Sequence, residues 1–359
     1  MQDATAMEIA NDALDPSLAE ETEPGIWRTP VPTPFGARRA NVYLLSGARS
    51  AGGAKDWTLV DCPLATRAAE EALLATLDRA GARPEDIGAI VLTHGHPDHL
   101  GAAGLWQQRC GAPVYALAHE AHLIATLWMD GSNQAFLEAA QALMAHGTPP
   151  DEAQTLVTRA VQVRRLLAPP EAPRMLAHGQ RLHLGGRLYT TIWTPGHSDG
   201  HLCLLRDDGA LLAGDAMLPA LTPTVGWYPW SRPDPLGDQL ATVAMLRDLP
   251  ARLVLPGHGR PFTALPERAD ALAGVYAREL VTVARLLAEH EAGMTAYELA
   301  SSLYSARWRV RDSRLAAMAE AVARLERLRR LGRARRVEDG EGLLRYVRAH
   351  EEEMGSQAS

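Results

Sequence analysis

Lysine is almost missing from this chain: Lys55 is the only one among 36 basic residues, and the other 35 are arginine. The bias reads as GC-rich codon usage, not function. Cysteine is nearly as scarce. Cys62, Cys110 and Cys203 stand far apart, with no C-x-x-C pair. An odd number of isolated cysteines argues against a disulfide framework and against a cysteine-rich structural zinc site, and predicts a reducing, cytoplasmic setting. No apolar run approaches the roughly 18 to 20 residues that cross a bilayer, so no membrane partner is expected. Residues 1–17, MQDATAMEIANDALDPS, lack the charged-then-apolar pattern of a secretory leader. What remains is ordinary globular material, 47% apolar and 22% charged. A length of 359 residues suggests about two domains.

The net charge of −7 is unevenly spread. Residues 1–24 carry seven acids and no base, whereas 301–348 carry thirteen arginines against six acids. A polyanion partner is therefore conceivable only for the C-terminal part.

The first 23 residues are polar and acidic and read as a mobile tail. From there to about residue 264, strand and helix patterns alternate, which predicts an α/β catalytic domain. Strands are expected at Ile26–Val31, Ala40–Leu45, Trp57–Val60, Ile87–Thr93, Pro113–Ala116, Arg181–Leu184, Arg187–Trp193, Leu202–Leu205, Ala210–Ala213 and Arg252–Leu255. Residues 117–170 interrupt this rhythm with three helical stretches, His119–Trp128, Asn133–His146 and Pro150–Leu167. Such an insert reads as a lid, a specificity wall, a dimer surface or a plain cap. Residues 265–349 read as three helices and a terminal hairpin, the order of a winged helix, with Thr295 and Glu298 as a capping box. Residues 350–359 form a tail.

The chemistry is concentrated in Thr93-His94-Gly95-His96-Pro97-Asp98-His99, directly after the apolar strand beginning at Ile87. Three imidazoles and a carboxylate on one loop can converge on a point. Neutral imidazole with carboxylate suits zinc, and also iron or manganese. Four donors from one loop suggest a pair of metals, which needs further donors. His197, Asp215 and His258 supply them by context: each ends a strand and follows a glycine, Gly196, Gly214 or Gly257. The carboxyl ends of strands are where α/β sites assemble. His119, His122, His146, His178, His183, His290 and His350 read as ordinary surface or core histidines, and Asp199 as a turn residue. His201 is either a support behind the ligands or a plain strand residue.

At this point the sequence resembles the metallo-beta-lactamase superfamily over roughly Pro24 to Phe262. The family pattern H-x-H-x-D-H, then H, D and H, is filled at every position. The resemblance implies an αββα sandwich with two zinc ions at one edge. One metal would be held by His94, His96 and His197, the other by Asp98, His99 and His258, with Asp215 bridging. Asp61, ending the strand that starts at Trp57, matches an aspartate behind the histidine loop. Asp98 would orient the hydroxide or relay a proton, so it is the expected catalytic residue. The pair Asp98-His99 resembles the glyoxalase II, lactonase and nuclease branches. His96 argues against the flavodiiron oxidoreductases, which carry glutamate there. The C-terminal pattern is similar to the lactamase-beta-like subgroup related to mitochondrial endoribonucleases.

The expected activity is hydrolysis of a small ester, thioester or lactone. The alternatives are a metal-dependent endoribonuclease acting on single strands and a mononuclear iron sulfur dioxygenase. Trp227, Tyr228 and Trp230 follow the bridging Asp215 and are expected to wall an apolar acyl pocket or stack nucleobases, with simple loop packing as the other reading. Arg324, Arg327, Arg329, Arg330, Arg333, Arg335 and Arg336 form a basic stripe. A structural or dimer role is preferred over nucleic acid for it, because the rest of the chain is acidic. A small molecule and a second copy of the chain are the expected partners.

Overall fold

The computed structural model of the protein describes residues 19–33, 39–46, 56–309 and 311–349. Its first sheet has seven strands in chain order. These are β1 (Glu20–Glu23), β2 (Ile26–Pro32), β3 (Arg39–Leu45), β4 (Trp57–Val60), β5 (Ile87–Val91), β6 (Val114–Leu117) and β7 (Arg174–Leu176). Pairing is antiparallel from β1 to β4 and parallel from β4 to β7. Parallel neighbours need crossovers, and helices supply them. The crossovers are α1 (Arg67–Ala80), then α2 (Pro97–Leu100) with α3 (Ala103–Cys110), then the insert α4 (Ala118–Ile124), α5 (Gln134–Ala145) and α6 (Pro150–Arg164). The end of α4 widens into one π-helical stretch, Ala125–Met129. Local chemistry sets the boundaries of α1: the Thr66 hydroxyl accepts from the Ala69 N–H, Gly81 closes the helix with φ +69°, and Ala69, Leu73 and Leu77 form its buried stripe.

The second sheet runs β12-β11-β10-β9-β8. Its strands are β8 (Arg181–Leu184), β9 (Arg187–Trp193), β10 (Leu202–Arg206), β11 (Ala210–Gly214) and β12 (Leu253–Pro256), with α7 (Pro235–Arg247) crossing between the parallel pair β11 and β12. The C-terminal part comprises α8 (Leu265–Glu289), α9 (Ala296–Leu303), the single turn α10 (Ser305–Trp308), α11 (Arg311–Arg330) and the hairpin β13 (Ala334–Glu338) and β14 (Leu344–Arg348).

Three apolar clusters divide these layers. Tyr43, Leu45, Val91, Leu204 and Leu255 fill the space between the sheets. Leu73, Leu77, Trp106, Trp128 and Phe136 pack helices on the outside of the first sheet. Leu211, Val243, Leu246, Tyr276, Val322 and Tyr346 do the same for the second. The result is an αββα sandwich, the fold class that the resemblance implies. The last cluster also joins the second sheet to α8, α11 and β14, so the C-terminal part shares its core with the sandwich.

Three local expectations are corrected. Residues 20–23 are not tail but edge strand, because their acids have partners: Glu20 meets Arg28 at 2.6 Å and Glu23 meets Arg252 at 2.6 Å. Residues 1–18 and 350–359 lie outside the described residues. Strand β7 was not foreseen, since three residues after Pro173 carry no period. The C-terminal part holds four helical pieces before its hairpin, α10 being the extra one.

Candidate metal centre

The strand ends deliver the donors to one edge of the sandwich. Asp61 follows β4, His94 to His99 follow β5, His197 follows β9, Asp215 follows β11 and His258 follows β12. Donor atoms of His94, His96 and His197 lie within 4.8 Å of one another, and so do those of Asp98, His99 and His258, and those of His94, His99 and Asp215. The structure thus brings together all seven residues named from the sequence.

The ring orientations fit a cation. His94 Nε2 and His197 Nε2 face each other at 3.3 Å, as do His99 Nε2 and His258 Nε2. Their far nitrogens are held from behind. His197 Nδ1–H donates to the Thr224 carbonyl at 2.8 Å and His258 Nδ1–H to the Arg39 carbonyl at 2.6 Å, which points both Nε2 lone pairs inward. Asp215 Oδ1 is buried without a hydrogen-bond partner among the described residues and lies 3.7 Å from His99 Nε2. Burial lowers the pKa of His94 and His96, which favours the neutral, ligating imidazole. Burial opposes the charged form of His99 as well, but Asp215 and Asp61 outweigh it and push that ring up to about 10. The carboxylates therefore demand positive charge at the second group of donors. Inward-facing imidazole nitrogens, an unpartnered carboxylate oxygen and this demand for charge together fit a bound metal.

Asp61 lies behind the histidine loop, where the resemblance expects it. Its carboxylate accepts from Thr93 N at 2.7 Å, Thr93 Oγ1 at 2.8 Å and His99 Nδ1 at 2.9 Å. It does so from a left-handed backbone, φ +63°, a strained conformation for a residue with a side chain. His201 lies just before β10 and reaches the site from behind. Its Nδ1 meets Thr194 Oγ1 at 2.7 Å, and its Nε2 accepts the Asp215 N–H at 3.0 Å. That arrangement needs a neutral ring, and burial lowers its pKa to about 3.

A cavity of about 210 Å³ lies beside His96 and His197, walled by Leu123, Leu127, Trp128, Phe136, Tyr228 and Trp230. Tyr228 and Trp230 stack at 4.8 Å on its wall. Trp227 points elsewhere: it packs with the core of the C-terminal helices and edges against His146 at 5.8 Å. Its N–H donates to Ala319 O at 2.9 Å, so the backbone turns its side chain out of the cavity. The insert supplies the opposite wall, including a residue that sequence reasoning missed. Glu120 is buried, lines the cavity and is pushed up to about 7 by burial.

Comparison with known proteins agrees with this architecture. The model for the metallo-beta-lactamase superfamily matches residues 35–258. The acyl-coenzyme A thioesterase MBLAC2 of Gallus gallus is 30% identical over 251 residues, 66% of this chain and 78% of that protein. A metallo-beta-lactamase family protein from Thermus thermophilus superposes with a TM-score of 0.78 at 35% identity, covering 91% of this chain and 99% of that one. A beta-lactamase domain protein from Burkholderia ambifaria gives 0.79 at 27% identity, covering 92% and 94%. Matched over most of its sandwich, with donor clusters that can bind metal at the edge, the chain belongs to the metallo-beta-lactamase superfamily and is a hydrolase of that family.

Proposed function

We propose that the protein is a dinuclear-metal hydrolase of small acyl thioesters or esters, with zinc as the metal. The observation that carries this reading is the apolar cavity beside His96 and His197. His94, His96 and His197 would hold one ion, Asp98, His99 and His258 the other, and Asp215 would bridge. Bound metal supplies an acidified water and a polarised carbonyl oxygen at neutral pH. The chain supplies the rest. Leu123, Leu127 and Phe136 would shelter the acyl chain from water, and the stacked Tyr228 and Trp230 would flank it. Asp98, whose Oδ2 lies 3.6 Å from His258 Nε2, would, besides holding the second ion, orient the attacking water or relay its proton. The Gallus gallus relative carries a thioesterase name, which supports the same substrate class. Cys62, Cys110 and Cys203 are buried and none is in a disulfide, which supports a cytoplasmic setting.

The endoribonuclease reading has less support. Four of the seven arginines offered for it face acids of the same chain: Arg324 meets Glu279, Arg327 meets Asp234, and Arg329 and Arg336 meet Glu326. The iron dioxygenase reading does not require the second group of donors. A panel of acyl thioesters, esters, lactones and single-stranded RNA tests the assignment. Thioester or ester turnover is expected, and Phe136→Ala should move the preference toward longer acyl chains. RNA cleavage without acyl hydrolysis would overturn it.

A further inference from the structure

The helical insert does more than wall the cavity. Glu120 Oε1 accepts the Gly95 N–H at 2.6 Å, and Gly95 sits between His94 and His96. Glu120 Oε2 accepts the Gly200 N–H at 2.9 Å, and both oxygens lie within 2.7 Å of Ser198 Oγ, next to His197. From the π-helical stretch that ends α4, the carbonyl of the same glycine is taken: Trp128 Nε1–H donates to Gly95 O at 2.8 Å. The two glycines permit this approach. A Cβ on Gly95 would come 2.8 Å from Ile124 Cγ1, and one on Gly200 would overlap the Glu120 backbone. Among the described residues the donors to Glu120 are backbone amides and one hydroxyl, with no arginine among them.

We propose that Glu120, assisted by Trp128, is a positioning residue that clamps the His94–His96 loop to the His197 loop and so sets the first metal's geometry. This rests on the reading that His94, His96 and His197 hold a metal. The insert then couples the cavity wall to the metal loops through one side chain. Both of its oxygens accept backbone N–H groups, which a side-chain amide cannot match. In Glu120→Gln the amide NH2 would confront one donor, either Gly95 N–H or Gly200 N–H, while the shape stays the same.

The test is zinc affinity of the full chain by competition with a chromophoric chelator, with cobalt(II) absorption as a probe of ligand geometry. Glu120→Gln should bind zinc about 10- to 100-fold more weakly. Its cobalt bands should shift, while the metal-free protein keeps the wild-type circular dichroism. Zinc affinity within twofold of wild type and unchanged cobalt bands would overturn the proposal. Trp128→Phe, which removes only the donor to the Gly95 carbonyl, gives the same readout should Glu120→Gln fail to fold; wild-type affinity there would also overturn it. A wild-type chain that takes up neither zinc nor cobalt refutes the metal reading itself. Wild-type uptake with no thioester turnover refutes only the substrate class and leaves the clamp standing.

Discussion

His146 lies buried with its ring stacked on Tyr346 at 5.9 Å and edge-on to Trp227, and its Nδ1 has no hydrogen-bond partner among the described residues. Burial, helped by Arg336, lowers its pKa to about 4. The unfolded chain takes up this proton near the ordinary histidine value of about 6.5. The folded chain resists it down to about 4. The unfolded state therefore binds more protons in that window, and stability falls as pH drops from about 6.5 to about 4. Urea denaturation at pH 7 and pH 5 should show a smaller loss in His146→Leu than in wild type; an equal loss would remove His146 from the account. The sequence placed His146 among ordinary histidines. It could not show the lack of a partner, which depends on Trp227 and Tyr346 arriving from distant segments.

At the scale of elements, α11 braces the loop between β11 and α7. Arg324 is buried, donates to the Val225 carbonyl at 2.9 Å and pairs with Glu279 at 2.9 Å. Arg327 reaches Asp234 at 2.7 Å, and Arg330 reaches the Pro233 carbonyl at 3.0 Å. The same loop carries Thr224, which orients His197, and the cavity residues Tyr228 and Trp230. Removing one partner of a buried ion pair typically costs about 3 to 5 kcal/mol. Arg324→Met should approach the lower end, because Glu279 is partly exposed. Chemical denaturation would check this, and a loss below about 1 kcal/mol, the range of an exposed pair, would contradict it. The sequence favoured a structural or dimer role for the arginine stripe, but the alternation with Leu325 and Leu328 suits any amphipathic helix and could not single out Arg324 as buried. It is buried because α11 is packed on more than one side: Ala317, Met318, Ala319, Ala321, Val322 and Ala323 are buried as well. By contrast the metal loops were legible, since glycine and proline punctuate them and each follows an apolar strand. Glu120 was not, because one glutamate in an amphipathic helix looks like any other surface acid.

Across the whole molecule, the sandwich brings segments more than 150 residues apart to one edge, where two groups of donors meet at Asp215 and beside His99. The insert closes one side of that edge and the C-terminal helices stiffen the other. Alternation of strands and helices made the α/β class readable. The sharing of one core between the second sheet and the C-terminal helices was not readable, because a hydrophobic stripe does not name its partner. The central claim is a paired metal site that performs hydrolysis. Elemental mass spectrometry of the purified chain, alongside thioester turnover, tests it most directly. The account predicts about two metal ions per chain, falling to about one in Asp98→Ala with loss of turnover. One metal per chain in the wild type, or full turnover in Asp98→Ala, would contradict it.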